Sequence, residues 1–181
     1  MKPIDNYVLD VQPKPICKPM TAVSIDLIDE IESYVRRGAG DVFRTMLNME
    51  AKAVEEPPSV AGNSSMVVGS VGFAGKASGV IFIAVPESLA NEAASAMVGL
   101  SPSELDPDMV NDVIAELSNM IVGYVKSQLC DTGHTCVLTV PSVMRGDHMK
   151  VQRVSLARNK SSLMICNKHV VTIEIVLKSD V

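Results

Sequence analysis

Asp112, Glu116, Asn119, Gly123 and Lys126 follow one another at steps of four, three, four and three residues within "NDVIAELSNMIVGYVKSQL", residues 111–129. On an α-helix those steps set all five on one row. A carboxylate in such a row pairs with a cation, and an amide one turn away both donates and accepts. Glu116 and Asn119 together could therefore dock a cationic group and hold a water. The row is poor helix design. Asp112 and Glu116 are like charges four residues apart, costing roughly 0.2–0.5 kcal/mol, and an interior Gly such as Gly123 costs about 1 kcal/mol relative to Ala. A merely solvated row would favour Ala, Glu, Lys or Gln, with acids four residues ahead of bases. Gly123 instead removes bulk and lets another backbone or side chain come close. On spacing alone, a solvated face with a tolerated Asn stays open beside the functional reading.

Other chemistries find little support. His134, His148 and His169 sit among strand and turn residues, where surface or hydrogen-bonded structural roles are expected, and no Ser-His-Asp or Cys-His constellation stands out. Cys17, Cys130, Cys136 and Cys166 are scattered and read as reduced thiols. Cys130, His134 and Cys136 form a C-x3-H-x-C run without a second ligand pair, so packed or loop residues are expected there and no metal. Gly69, Gly72, Gly75 and Gly79 suit turns, bulges or close backbone contact, since no phosphate-loop spacing accompanies them.

The elements that must position the row follow from the rest of the chain. With 181 residues, 47% of them hydrophobic and 20% charged, the sequence predicts one globular domain. Aromatics make up 3% and Trp is absent, so the core is built from Val, Ile, Leu, Ala and the 11 Met. A net charge of −5 without a Lys/Arg cluster argues against a nucleic-acid partner. Apolar runs such as "GVIFIAV" fall far short of the ~18–20 residues that span a bilayer, and residues 1–20 lack a signal core, so no membrane contact and a cytoplasmic location are expected.

Four prolines in residues 1–20 predict an extended N-terminal arm over 1–21, ahead of a single domain over 22–181. Ile25, Ile28, Ile31, Val35, Val42, Phe43 and Met46 predict a helix over roughly 24–50, with a break allowed at "GAG" and a stop before "EEPPS". "SSMVVGSVGFAG" and "KASGVIFIAV" read as an antiparallel pair, and "ESLANEAASAMVGL" as a helix from about 87 to 98 with a small-residue packing face. Asp106 or Ser103 can cap the long helix, with Pro107 in its first turn. Val110, Val113, Ile114, Leu117, Ile121, Val125 and Leu129 form its core stripe. "TCVLTVPSV", "HMKVQRVSLAR", "SSLMICN" and "HVVTIEIVLK" read as three or four further strands, the last burying Val171, Ile173, Ile175 and Leu177 on one face. The class is α+β, long helices packed on a largely antiparallel sheet.

"AELSNMIVGYVKSQL" resembles the signature helix of the CheC/CheX/FliY family of chemotaxis phosphatases. That pattern is an Asp or Ser, a Glu four residues on, an Asn three further and a Pro some twenty-two later, here Asp112, Glu116, Asn119 and Pro141. "GFAGKASGVIFIAVPESLANEAASAMVGL" and "VLTVPSVMRGDH" resemble the family's flanking segments, so the likeness covers roughly residues 22–178. It implies a CheC-like fold and removal of phosphate from the phospho-aspartate of a CheY-like response regulator. It further implies that Asn119 orients the attacking water and that Glu116 pairs with the regulator's active-site Lys. Asp112, Gly123 and Lys126 would touch the partner, and the Mg²⁺ would belong to the regulator, with no cofactor on this chain. Some members carry a second such helix. Aligning "GDVFRTM" with "GYVKSQL" puts Ser33 and Arg36 where Glu116 and Asn119 stand, so one site is expected, as in the CheX branch, whose members form homodimers. Two other readings are a noncatalytic docking module for a receiver domain or flagellar switch component, and a small-ligand domain working through its glycine-rich strands.

Overall fold

The computed structural model describes residues 26–56, 65–147, 149 and 157–178, so the expected N-terminal arm lies outside the described residues. Helix α1 (Leu27–Leu47) starts where the Asp26 carboxylate accepts from the Ile28 N–H at 3.3 Å. It runs unbroken through Gly38-Ala39-Gly40. The glycine at 38 serves helix packing instead: a Cβ there would stand 2.8 Å from Tyr124 Cδ1. Ile28, Ile31, Val35, Val42 and Phe43 are buried as expected, whereas Met46 is exposed.

Strand β1 (Ala51–Val54), unassigned from the sequence, follows α1. The hairpin of β2 (Ser65–Gly75) and β3 (Gly79–Pro86) turns at the expected place, Gly75 N–H donating to Ser78 Oγ at 3.1 Å. Helix α2 (Glu87–Val98) buries Leu89, Ala90, Ala93 and Ala94, its small face. After a 3-10 turn at Pro102–Glu104 comes the long helix α3 (Pro107–Asp131). The single strand expected in "TCVLTVPSV" is divided into β4 (Cys136–Leu138) and β5 (Ser142–Asp147). Both pair with β2, and the break contains Pro141, which has no N–H to give to a ladder. Most of "HMKVQRVSLAR" lies outside the described residues; its end and "SSLMICN" form one strand, β6 (Ala157–Cys166), followed by β7 (His169–Lys178).

Every strand pairing is antiparallel, and the sheet runs β1-β6-β7-β3-β2-β4, with β5 also on β2. The α+β class, with helices packed on an antiparallel sheet, thus holds. The order reads the same from either end. Helix, edge strand and hairpin (α1, β1, β2–β3) recur as α3, β4/β5 and β6–β7, each edge strand pairing with the other half's hairpin. Val171, Ile173, Ile175 and Leu177 face the helices at 0–4% exposure. Among the described residues no helix is long and apolar enough to cross a membrane.

The seat of α3 on the sheet has a residue-level cause. Val110, Val113, Ile114, Leu117, Ile121, Val125 and Leu129 are buried, joined by Ser118 and Val122. Ser118 donates its hydroxyl to the Ile114 carbonyl at 2.7 Å, so burying it leaves no unsatisfied polar atom. Opposite lies Gly69 of β2, where a Cβ would come within 2.0 Å of Ser118 Oγ and 3.3 Å of Ile114 Cγ2. Only a glycine admits the helix at this distance. Gly69→Ala is accordingly expected to cost about 1–3 kcal/mol in urea unfolding, by overpacking. Adding Ser118→Ala should recover part of the loss, and an unchanged midpoint for Gly69→Ala would show that the contact is not tight.

Candidate functional site

Helix α3 begins at Asp106, whose carboxylate accepts from the Met109 N–H at 2.8 Å, with Pro107 next. Of the two expected caps Asp106 is the one used, while Ser101 and Glu104 close the preceding 3-10 turn. The five row residues do share one side of α3, but not at one depth: Asp112 and Glu116 are exposed, whereas Asn119, Gly123 and Lys126 are half-buried. The reason is geometric. A seven-residue step falls about 20° short of two whole helical turns, so Asn119 and then Lys126 drift off the line of Asp112 toward the buried side, while Gly123, without a side chain, lies lower between its neighbours.

The drift is toward the β4–β5 edge. Arg145 of β5 reaches Asn111 on that flank, while Tyr124 on the other flank meets α1 at Gly38. Ser118 sits on Gly69, whose neighbour across the ladder is Val143, and Gly72 pairs through its N–H with Thr139 Oγ1 at 2.9 Å. A helix advances about 1.5 Å per residue and a strand about 3.3 Å. The Thr139–Pro141 link between β4 and β5 therefore stays on the edge of β2, a few residues along from the Gly69–Ser118 contact and on the side that α3 packs against.

No side chain of Asp112, Glu116, Asn119 or Lys126 makes a hydrogen bond or ion pair to another described residue. Several other acids are engaged, Glu32 with Arg36, Asp41 with Arg44, Glu87 with Arg145 and Glu92 with His169, whereas Glu30, Asp108, Asp131 and Glu174 are unpaired among the described residues as Asp112 and Glu116 are. At Gly123 a Cβ would meet nothing within 4 Å, in contrast to Gly38 and Gly69. The chain's own packing does not call for a glycine there. The arrangement offers a free carboxylate and a free amide one turn apart, beside a spot kept clear of side chain. Chemically, that suits docking a cation and positioning a small polar molecule, not covalent attack.

The equivalent face of α1 is built differently. Ser33 is exposed, and Arg36 donates to Ser162 Oγ at 2.8 Å while pairing with Glu32 at 2.8 Å and Glu55 at 3.4 Å. Lys160 bridges Asp29 and Glu32, which pushes its own pKa up. With its charges satisfied internally and no Glu or Asn in place, α1 carries no copy of the α3 site.

Elsewhere, burial pushes the Cys136 thiol up, with Cys130 adding to it, and lifts Cys166 to about 11. Both therefore stay protonated and poorly nucleophilic at neutral pH. Among the described residues no three His, Cys, Asp or Glu side chains converge on a point. His134 Nδ1 lies 3.3 Å from Thr132 Oγ1. His169, 9% exposed, stands between Glu92 at 3.1 Å and Ser88 at 3.4 Å, a hydrogen-bonded structural role of the kind expected, here joining α2 to β7. His148 lies outside the described residues.

The family described as "Chemotaxis phosphatase CheX" matches residues 67–166, more than half of the chain, including the whole α3 row and Pro141. No curated protein sequence matches the chain. Among solved structures, the chemotaxis protein CheX from Vibrio vulnificus is similar at 24% identity and a TM-score of 0.72, over 85% of this chain and 100% of that one. The chemotaxis protein CheX from Desulfovibrio desulfuricans gives 24% and 0.70, over 82% and 99%. The protein in the CheX-CheY-BeF3-Mg+2 complex from Borrelia burgdorferi gives 22% and 0.62, over 86% and 99%.

Proposed function

Because the chain belongs to the CheX family of chemotaxis phosphatases, we propose that it hydrolyses the phospho-aspartate of a CheY-like response regulator. The observation that carries this reading is the free Glu116–Asn119 pair on α3, next to the cleared position at Gly123. Glu116 docks on the active-site Lys of the regulator. Asn119 enters beside the phosphoryl group and holds the attacking water in line with the aspartyl oxygen. Water then displaces the regulator's carboxylate, releasing inorganic phosphate. No covalent intermediate forms on this chain, in keeping with phosphoryl transfer as a problem of positioning and electrostatics. The Mg²⁺ that neutralises phosphoryl charge sits on the regulator. Asp112 and Lys126 flank the contact, and Gly123 gives the partner room.

The reading is tested by phosphate release from a phosphorylated CheY-like receiver domain with Mg²⁺, alongside binding to the beryllofluoride-charged receiver. Wild type should accelerate release. Glu116→Ala should weaken binding at least tenfold, as truncating one member of a desolvated charge pair costs about 2 kcal/mol or more. Binding by wild type without acceleration would point to a noncatalytic docking module instead.

On the same reading the protein works in the cytoplasm as a homodimer. Edge strand β5 has no described strand on its outer side, and Val137, Val140 and Met144 lie exposed along β4–β5 at 67%, 83% and 42%. The opposite edge is blunted, β1 being four residues long and carrying Lys52. Sedimentation equilibrium of the full chain decides between one copy and two.

A further inference from the structure

We propose that Arg145 is a positioning residue for the phosphatase reaction, an inference that rests on the function just given. Its guanidinium meets three partners on two other elements. Nε donates to Asn111 Oδ1 at 2.6 Å, Nη2 donates to the Pro107 carbonyl at 3.1 Å, and Nη1 pairs with Glu87 Oε1 at 2.8 Å. Pro107 and Asn111 belong to the first turns of α3, and Glu87 opens α2. Arg145 itself lies on β5, three residues after Ser142, where β5 resumes the edge after Pro141.

Two of the joined elements, α3 and the β4–β5 edge, flank the site, and α2 braces the joint. Asn119 and Gly123 stand on α3, and the Thr139–Pro141 link in the edge that α3 packs against continues directly into β5. A single side chain therefore fixes the helix that carries the reacting groups relative to the edge segment flanking it. The fork geometry matters, because three acceptors in different directions need a planar group with several donors, which Lys does not provide. Arg145 touches neither Glu116 nor Asn119, so its effect reaches the reaction only through the placement of α3. Misplacement of about 1 Å at a reacting centre slows a reaction by about a hundredfold. Loosening one end of a long helix should cost less than that.

The test compares wild type, Arg145→Lys, Arg145→Ala, Asn111→Ala and the Arg145→Ala/Asn111→Ala double variant. Expected is a fall in kcat of about tenfold in both Arg145 variants, with KM and binding of the beryllofluoride-charged receiver changed by less than about threefold. Asn111→Ala should lose less. The double variant should be no slower than Arg145→Ala, since both remove one clamp. Amide exchange should quicken in the first turns of α3 in Arg145→Lys and not at its far end. Wild-type kcat in both Arg145 variants overturns the inference, as does a loss shared equally between kcat, binding and thermal midpoint, the mark of a merely structural role. A wild type that releases no phosphate overturns the function itself, and the role of Arg145 in it falls too.

Discussion

Asn119→Ala is expected to slow phosphate release by about a hundredfold or more while binding of the beryllofluoride-charged receiver stays within about threefold of wild type. The expectation follows from where the amide sits and what it lacks. Asn119 is half-buried on the flank of α3 that faces the β4–β5 edge, and no described residue hydrogen-bonds its side chain. No described residue is held by a hydrogen bond to it, so removing it should leave stability unchanged within the usual surface range of about 0.5 kcal/mol. Its neighbour one turn earlier, Glu116, is exposed and, on the proposed function, carries the charge that recognises a cation. Truncating Glu116 should thus appear mainly in binding, and truncating Asn119 in turnover. A split of that kind separates a catalytic amide from a docking surface. If Asn119→Ala kept wild-type turnover, the water would have to be held by something else, and the catalytic assignment would fail even with binding intact.

Much of this arrangement can be read from the residues alone, for a physical reason. Helical periodicity is local, so the apolar stripe from Val110 to Leu129 and the polar row opposite it are visible in one window of sequence. The row stands out because Asp112, Glu116, Asn119 and Gly123 run against helix propensity, and Asp106-Pro107 marks where the helix starts. The strands were visible wherever apolar residues alternate, as in Val171, Ile173, Ile175 and Leu177.

What stayed hidden depends on contacts far along the chain. Gly69 looks like any strand glycine until Ser118, on a helix forty-nine residues later, is found against it. Gly38 looks like a helix breaker until Tyr124 is seen to occupy the space. Arg145 is a charged residue in an edge strand, and its three partners come from α2 and α3. The twofold pattern of the sheet is likewise a matter of pairing: β1 with β6 and β4/β5 with β2 exchange strands between the halves, which no local window records. The unequal depth of the row was in principle calculable, since the drift of about 20° per heptad is a property of any α-helix. Its direction toward β5 was not, because that depends on which flank meets the edge strand.

Gly123→Ala should make the protein more stable and less able to act on its partner, and Gly123→Leu should abolish the second property. A helix-interior Ala replaces Gly with a gain of about 0.5–1 kcal/mol where the backbone is helical and the new Cβ meets no neighbour. Both conditions hold at Gly123: it lies inside α3, and a Cβ there has nothing within 4 Å. A glycine that costs stability and fills no gap in its own chain is explained if a second molecule comes close at that point, as a receiver domain docked on Glu116 and Asn119 would. Ala should weaken receiver binding by about tenfold, and Leu by a hundredfold or more, through steric exclusion of a packed interface. Denaturation midpoints and receiver affinity, measured on the same preparations, decide the matter. Because stability and function move in opposite directions, loss of activity could not be blamed on unfolding. Wild-type affinity in Gly123→Leu would show that the partner does not reach this stretch of α3, and the free Glu116–Asn119 pair would then have to be approached from the Asp112 end.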